Sequence, residues 1–140
     1  RHASGPDGPV RPADKPGETI QIRGVDFTRA SKTLLLVLRK ECHFCEASMP
    51  FYKSLSERGS KRLGTQIVAL SPDDVATTKA NFESHQFDVD QVAQVSLADL
   101  KVSGTPTAIL VDRSGIVEKV WAGQLDSAGQ RQVNTALAAK

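Results

Sequence analysis

Cys42-His43-Phe44-Cys45 holds the only two cysteines of this 140-residue chain. Two thiols at that spacing can form a short staple, supply half of a metal site, or make and break a disulfide. A structural zinc site needs four ligands, usually Cys or His. Beyond Cys42 and Cys45 the chain offers His2, His43 and His85. His2 sits in a Pro/Gly-rich stretch and nothing in the sequence brings His85 to Cys42, so no metal is expected. Covalent haem attachment needs His directly after the second Cys, where this chain has Glu46. A staple over so short a loop stabilises little, because the entropy removed from the unfolded chain grows with loop length. The redox reading has a mechanism. Cys42 follows an aliphatic run and opens a helical pattern, so unpaired N–H groups and the positive end of the helix dipole surround it. A thiolate there is stabilised below the roughly 8.5 of a free thiol. Cys45, one turn further in, is placed to attack a disulfide held on Cys42. Two Cys so spaced beside a strand–helix pattern read as a redox motif.

The elements that must position this pair can be read from periodicity. "ETIQIRG" alternates as a strand does, with Ile20 and Ile22 on one side. "TLLLVL", Thr33 to Leu38, is a continuous apolar run, as in a strand covered on both faces. A helix is expected from about Cys42 to Glu57, ending near Gly59 and kinked at Pro50. "TQIVAL", Thr65 to Leu70, is a second buried strand. Ser71 is expected to cap a helix from Pro72 to about Ser84, with Asp73 and Asp74 in its first turn. A short helix at Ser96 to Lys101 follows. Strands Thr107 to Val111 and Ile116 to Ala122 are joined by "DRSG", a hairpin signal, and a helix starts near Ser127. The alternation of strand and helix predicts an α/β fold, with right-handed crossovers and a mixed sheet carrying helices on both faces.

Composition bounds the rest. The length fits one domain, large enough to bury a core without staples. Lys and Arg number 18 against 16 Asp and Glu, too balanced to suggest nucleic acid as a partner. No apolar run approaches the roughly 20 residues that cross a bilayer. Residues 1–17 carry four prolines and three glycines with little to bury. They read as a flexible linker or tether ahead of a domain spanning residues 18–140. The sequence starts at Arg1 without an initiator Met, which leaves room for a signal peptide or membrane anchor upstream of residue 1.

With these features assembled, the chain resembles the thioredoxin-fold thiol-disulfide oxidoreductases, and more narrowly the TlpA/ResA-like family. The resemblance rests on "CHFC" after "TLLLVL", on Pro50 in the same helix, and on "VSGTPTAILVDRSGIVEKVWAG". It covers roughly Glu18 to the C-terminus. The extra length between Ser71 and Val102 fits the insertion of TlpA-like proteins. The resemblance implies a thioredoxin-like mixed central sheet, a cis Thr105–Pro106 bond, and exchange with partner proteins that carry disulfides or dithiols. It implies no cofactor beyond a redox-active Cys42–Cys45 disulfide. It also implies a bacterial extracytoplasmic setting, periplasmic or membrane-anchored facing outside, and a monomer.

The resemblance assigns roles to residues. Cys42 attacks and forms the mixed disulfide, and Cys45 resolves it. Thr105 and Pro106 line the active-site edge, with the backbone at Thr105 offered to the bound chain as in strand addition. His43 and Phe44 tune the pair: a protonated His43 would favour the thiolate, while Phe44 gives partners an apolar contact or packs on the Pro106 loop. Two departures stand out. Glu41 replaces the Trp that thioredoxins carry before the first Cys. Leu36 stands six positions before that Cys, where thioredoxins carry a buried Asp. The proton acceptor for Cys45 is thus left to Glu41 or Glu46. Trp121 reads as core or partly covered strand, His85 as a surface residue without a visible partner, and Arg58, Lys61 and Arg62 as charges suited to a helix end.

Two other function classes share some of these features. A peroxiredoxin-like peroxidase has a related fold, but its usual Pro and Thr before the reactive Cys are absent from "LRKEC". A non-catalytic module would bind copper or a partner through Cys42, Cys45 and a His. Direction of electron flow stays open, since potentials in related folds span about −270 to −120 mV.

Overall fold

An aliphatic run such as Leu34–Val37 needs cover on both faces, and the sheet supplies it. The computed structural model describes residues 15–57 and 64–139. Five strands form one sheet: β1 (Lys32–Val37), β2 (Thr65–Ser71), β3 (Gln91–Gln94), β4 (Thr107–Asp112) and β5 (Val117–Ala122). Four helices accompany them: α1 (His43–Glu57), α2 (Val75–Ser84), α3 (Leu97–Leu100) and α4 (Ser127–Ala138). The order across the sheet is β3-β2-β1-β4-β5. β1 pairs in parallel with β2, and β2 with β3, while β4 runs antiparallel to β1 and β5 to β4. This is the mixed α/β sheet that the sequence implies.

Alternation on β1 divides the core. Leu34 and Leu36 face Met49, Tyr52 and Leu55 of α1, Phe82 of α2 and Val133 of α4. Leu35 and Val37 face Ile20, Ile22 and Phe27 of the N-terminal segment and Leu100 of α3. Helices therefore lie on both faces, with the three longer ones on one. Each fully buried aliphatic side chain stabilises the fold by about 1.5–3 kcal/mol.

Three local expectations are corrected. "ETIQIRG" buries Ile20 and Ile22, yet it is no strand. Thr19 and Gln21 make only isolated bridges, Thr19 to Ile116, and the chain then turns away at Gly24 (φ 81°). β3 has no counterpart in the sequence reading, because "QVAQ" is a short, half-buried edge strand with no apolar run to announce it. Its glutamines reach outward to the carbonyls of Gly24 and Pro72. Finally, α2 is capped by Asp74, not Ser71. Ser71 still belongs to the β2 ladder, and Asp74 accepts from Thr77 N at 2.7 Å. Bonds from the Thr77 side chain and backbone hold the Asp74 carboxyl below its ordinary range.

The hairpin between β4 and β5 turns at Gly115 (φ 84°), where an added Cβ would lie 3.3 Å from the Ile20 carbonyl oxygen. The charges Arg58, Lys61 and Arg62, the end of the first helix near Gly59, and residues 1–14 of the expected linker lie outside the described residues. Among the described residues, no helix is long and apolar enough to cross a membrane.

Candidate active site

Topology explains why residues 42 and 105 meet. Val37, the last residue of β1, pairs with Thr107, the first of β4. The loop after β1 and the loop before β4 therefore emerge side by side at one end of the sheet. The first carries Arg39 to Cys42 and the second Gly104 to Pro106. The Thr105–Pro106 peptide bond is cis.

The loop after β1 is pinned at several points. Leu38 N donates to Leu70 O at 2.9 Å, and Lys40 N donates to Asp73 Oδ2 at 2.7 Å. Asp73 in turn accepts from the Ser71 hydroxyl at 3.1 Å. Glu41 takes a left-handed backbone (φ 56°), uncommon for a residue with a Cβ. That turn swings the chain into α1, with Cys42 immediately before the first helical residue.

Cys42 and Cys45 are joined by a disulfide, with Cα atoms 5.2 Å apart. Cys42 is 6% exposed and Cys45 1%. The Cys45 N–H points at Cys42 Sγ, 3.2 Å away. Cys42 therefore occupies the place of an N-cap side chain, accepting from the helix's first turn. The Thr105 hydroxyl donates to the same sulfur at 3.3 Å, and the Thr105 carbonyl oxygen lies 3.6 Å from it. Cys42 thus has donors for a thiolate and an acceptor for a thiol within reach. A helix N-terminus with further donors is the setting in which a cysteine becomes reactive.

Cys45 packs in the cluster that holds Leu36, Met49 and Phe82, a cluster that Cys42 also borders. Leu36 is fully buried, and no Asp or Glu among the described residues is buried. The interior next to Cys45 is therefore apolar. Tyr52, on the same helix, is buried in this cluster, and desolvation pushes its phenol up to about 12 against a lowering hydrogen bond with Ser48.

The other sequence-selected residues surround Cys42 unequally. Thr105 touches its sulfur and Pro106 is buried behind. Phe44 is 56% exposed, and its ring meets His43 edge-on at 5.3 Å between centroids. Glu41 is exposed in its turn. Glu46 reaches His85, whose Nε2 lies 2.8 Å from Glu46 Oε1. His85 therefore has a partner, contrary to expectation, because α2 packs beside the start of α1, a proximity no local pattern encodes. Trp121 is buried as core, its Nε1–H donating to Gln132. Among the described residues, no three His, Cys, Asp or Glu gather as a metal site would require. Sequence reasoning missed Arg39, whose Nε donates to the Thr105 hydroxyl at 3.2 Å, and Asp73, which pins the loop. Neither stands out in the sequence, since both act through partners distant along the chain.

No protein-family model matches the sequence, and a search of curated proteins finds no match. Solved structures do match. A thiol-disulfide isomerase from Corynebacterium glutamicum superposes with a TM-score of 0.66 at 19% identity, over 94% of this chain and 97% of that one. StoA from Bacillus subtilis gives 0.62 at 15% identity, over 91% and 98%. A candidate thiol:disulfide interchange protein DsbE from Chlorobium tepidum gives 0.60 at 25% identity, over 79% and 82%. The chain has the thioredoxin-like fold, and it carries a Cys-x-x-Cys disulfide at the N-terminus of its first helix.

Proposed function

We propose that the chain is a thiol-disulfide oxidoreductase that exchanges its Cys42–Cys45 pair with partner proteins. The observation that carries this reading is the environment of Cys42 Sγ, which receives the Cys45 N–H and the Thr105 hydroxyl at a helix N-terminus. Structural neighbours named as thiol-disulfide isomerase and interchange protein support it.

In the reducing direction, the Cys42 thiolate attacks one sulfur of a partner disulfide. A Cys42–partner disulfide forms, the partner S–S bond breaks, and the leaving thiolate takes a proton from water. Cys45, deprotonated, then attacks Cys42 Sγ, and the second partner sulfur leaves. Two electrons have passed to the partner, and the chain holds the Cys42–Cys45 disulfide. The reverse sequence oxidises a partner dithiol. The Thr105 backbone beside the sulfur offers hydrogen bonds to an extended partner segment, and exposed Phe44 offers an apolar contact. Glu41 and Glu46 are the nearest carboxylates along the chain for the Cys45 proton, Glu46 through its pairing with His85. An extracytoplasmic bacterial setting suits a protein that handles persistent disulfides. The resemblance to TlpA-like proteins, with the bacterial sources of the structural neighbours, points the same way.

The test is exchange itself. The reduced protein should reduce insulin disulfides far faster than an equal concentration of a small free thiol at pH 7. Cys45→Ser should accumulate a covalent partner adduct, visible by mass spectrometry and released by dithiothreitol. Exchange no faster than that of a free thiol, with no adduct, overturns the reading.

A further inference from the structure

The Cys42 sulfur has a second layer of support that begins outside the redox motif. Arg39 is exposed at the start of the loop after β1, yet its side chain folds across to the neighbouring loop. Its Nε–H donates to Thr105 Oγ1 at 3.2 Å, and that oxygen lies 3.3 Å from Cys42 Sγ. A hydroxyl has one proton to give and two lone pairs to receive. With a guanidinium N–H on one lone pair, the hydroxyl keeps its proton for the sulfur. A cation on the oxygen also polarises the O–H, strengthening what it donates.

We propose that Arg39 is a positioning residue for disulfide exchange: it clamps the Thr105 hydroxyl so that its proton is turned onto Cys42 Sγ. The effect belongs to the reduced protein. A neutral disulfide sulfur gains little from the hydroxyl, whereas a thiolate gains a charge-assisted bond. Arg39 therefore favours the attacking species without touching it. The loop that carries it is held by the Asp73 contacts to Lys40 N and Ser71, so the guanidinium starts from a fixed base. Arginine suits the task because its planar fork is pre-organised and always charged. The other charged or titratable side chains near Cys42 are the exposed Lys40, Glu41, His43 and Glu46 along the chain, exposed Lys101 leading into the Thr105 loop, half-buried Asp73 on Lys40 N, and the buried Cys45 thiol of the reduced protein. All remain in every variant below.

This inference rests on the exchange reading, and the experiment separates the two. The fully reduced protein is titrated by thiolate absorbance, with alkylation rates followed from pH 5 to pH 9. Arg39→Met and Thr105→Val should each move the Cys42 titration to higher pH and slow alkylation at pH 6 by about three- to tenfold, the loss of one hydrogen bond to a charged group being partly offset by the greater nucleophilicity of a more basic thiolate. In Thr105→Val, adding Arg39→Met should change little, because the relay is already cut. Equal Arg39→Met shifts in both backgrounds would mean that the charge acts through space, and would overturn the proposal. So would an unchanged titration in Arg39→Met alone. Should Thr105→Val fail to fold, Arg39→Lys decides, since it keeps the charge and drops the guanidinium donor. A titration like that of Arg39→Met upholds the relay; one like that of the native protein ends it. A native protein whose Cys42 reacts no faster than a free thiol would instead remove the exchange reading itself.

Discussion

The two sulfurs of this chain sit three residues apart in one helical turn and face unlike surroundings. Around Cys42 there are an amide N–H, a hydroxyl, a carbonyl and, through the hydroxyl, a guanidinium. Both sulfurs border one interior of Leu, Met and Phe, and Cys45, 1% exposed against 6%, lies deeper in it. A charged sulfur is stabilised in the first setting and penalised in the second. The difference divides the labour of exchange: the outer thiol carries charge and meets partners, and the inner thiol stays in reserve until a disulfide forms on its neighbour.

The sharpest way to break this comparison is to remove each sulfur in turn. Cys42→Ser should abolish turnover of insulin disulfides, while Cys45→Ser should keep the first attack and accumulate the adduct. Equal loss at both steps would mean that the sulfurs are interchangeable. Next is Leu36→Asp, which places a carboxylate in the apolar side at the position where thioredoxins carry one. Urea unfolding should show a loss of roughly 3 kcal/mol or more, as for an unpaired buried charge. Little or no loss would show that water reaches the Cys45 side.

Tyr52 reports on the same interior. Its phenol is raised to about 12 by burial, so the folded state holds the proton that the unfolded chain loses near pH 10. Stability is therefore complete below pH 10 and falls as pH rises through about 12, by on the order of 2 kcal/mol from this group. As the chain has a single Tyr, tyrosinate absorbance follows it directly, and Tyr52→Phe should flatten that part of the alkaline stability curve. On the polar side, His43→Ala should move the Cys42 thiolate titration to higher pH. An unchanged titration would confine His43 to its contact with Phe44. Smallest of all, His85→Ala should lower stability by less than about 1 kcal/mol in urea unfolding, because the pair with Glu46 is partly exposed.

Much of the fold was legible because its signals are local. The apolar runs of β1 and β2, the hairpin at "DRSG" and the helix opening at the cysteines each fall within a few residues. Edge elements were harder. β3 is short and rich in Gln, and Ile20 and Ile22 bury their side chains without joining a ladder, so burial and strand pairing part company there. The helix after β2 starts three residues later than its first polar candidate. Ser71 keeps its place in the sheet, and Asp74 takes the cap.

The candidate site divides along the same line. The reactive pair, its place between strand and helix, and the Thr-Pro loop that resembles a known family's could all be read before folding, because spacing and residue type along the chain carry that information. What reaches the sulfurs depends on how the chain packs in space. The pairing of Val37 with Thr107 brings Thr105 and Arg39 to Cys42, and the packing of α2 brings His85 to Glu46. These contacts join residues tens of positions apart. Hydrogen bonds and desolvation act over a few ångströms of space, whatever the distance along the chain.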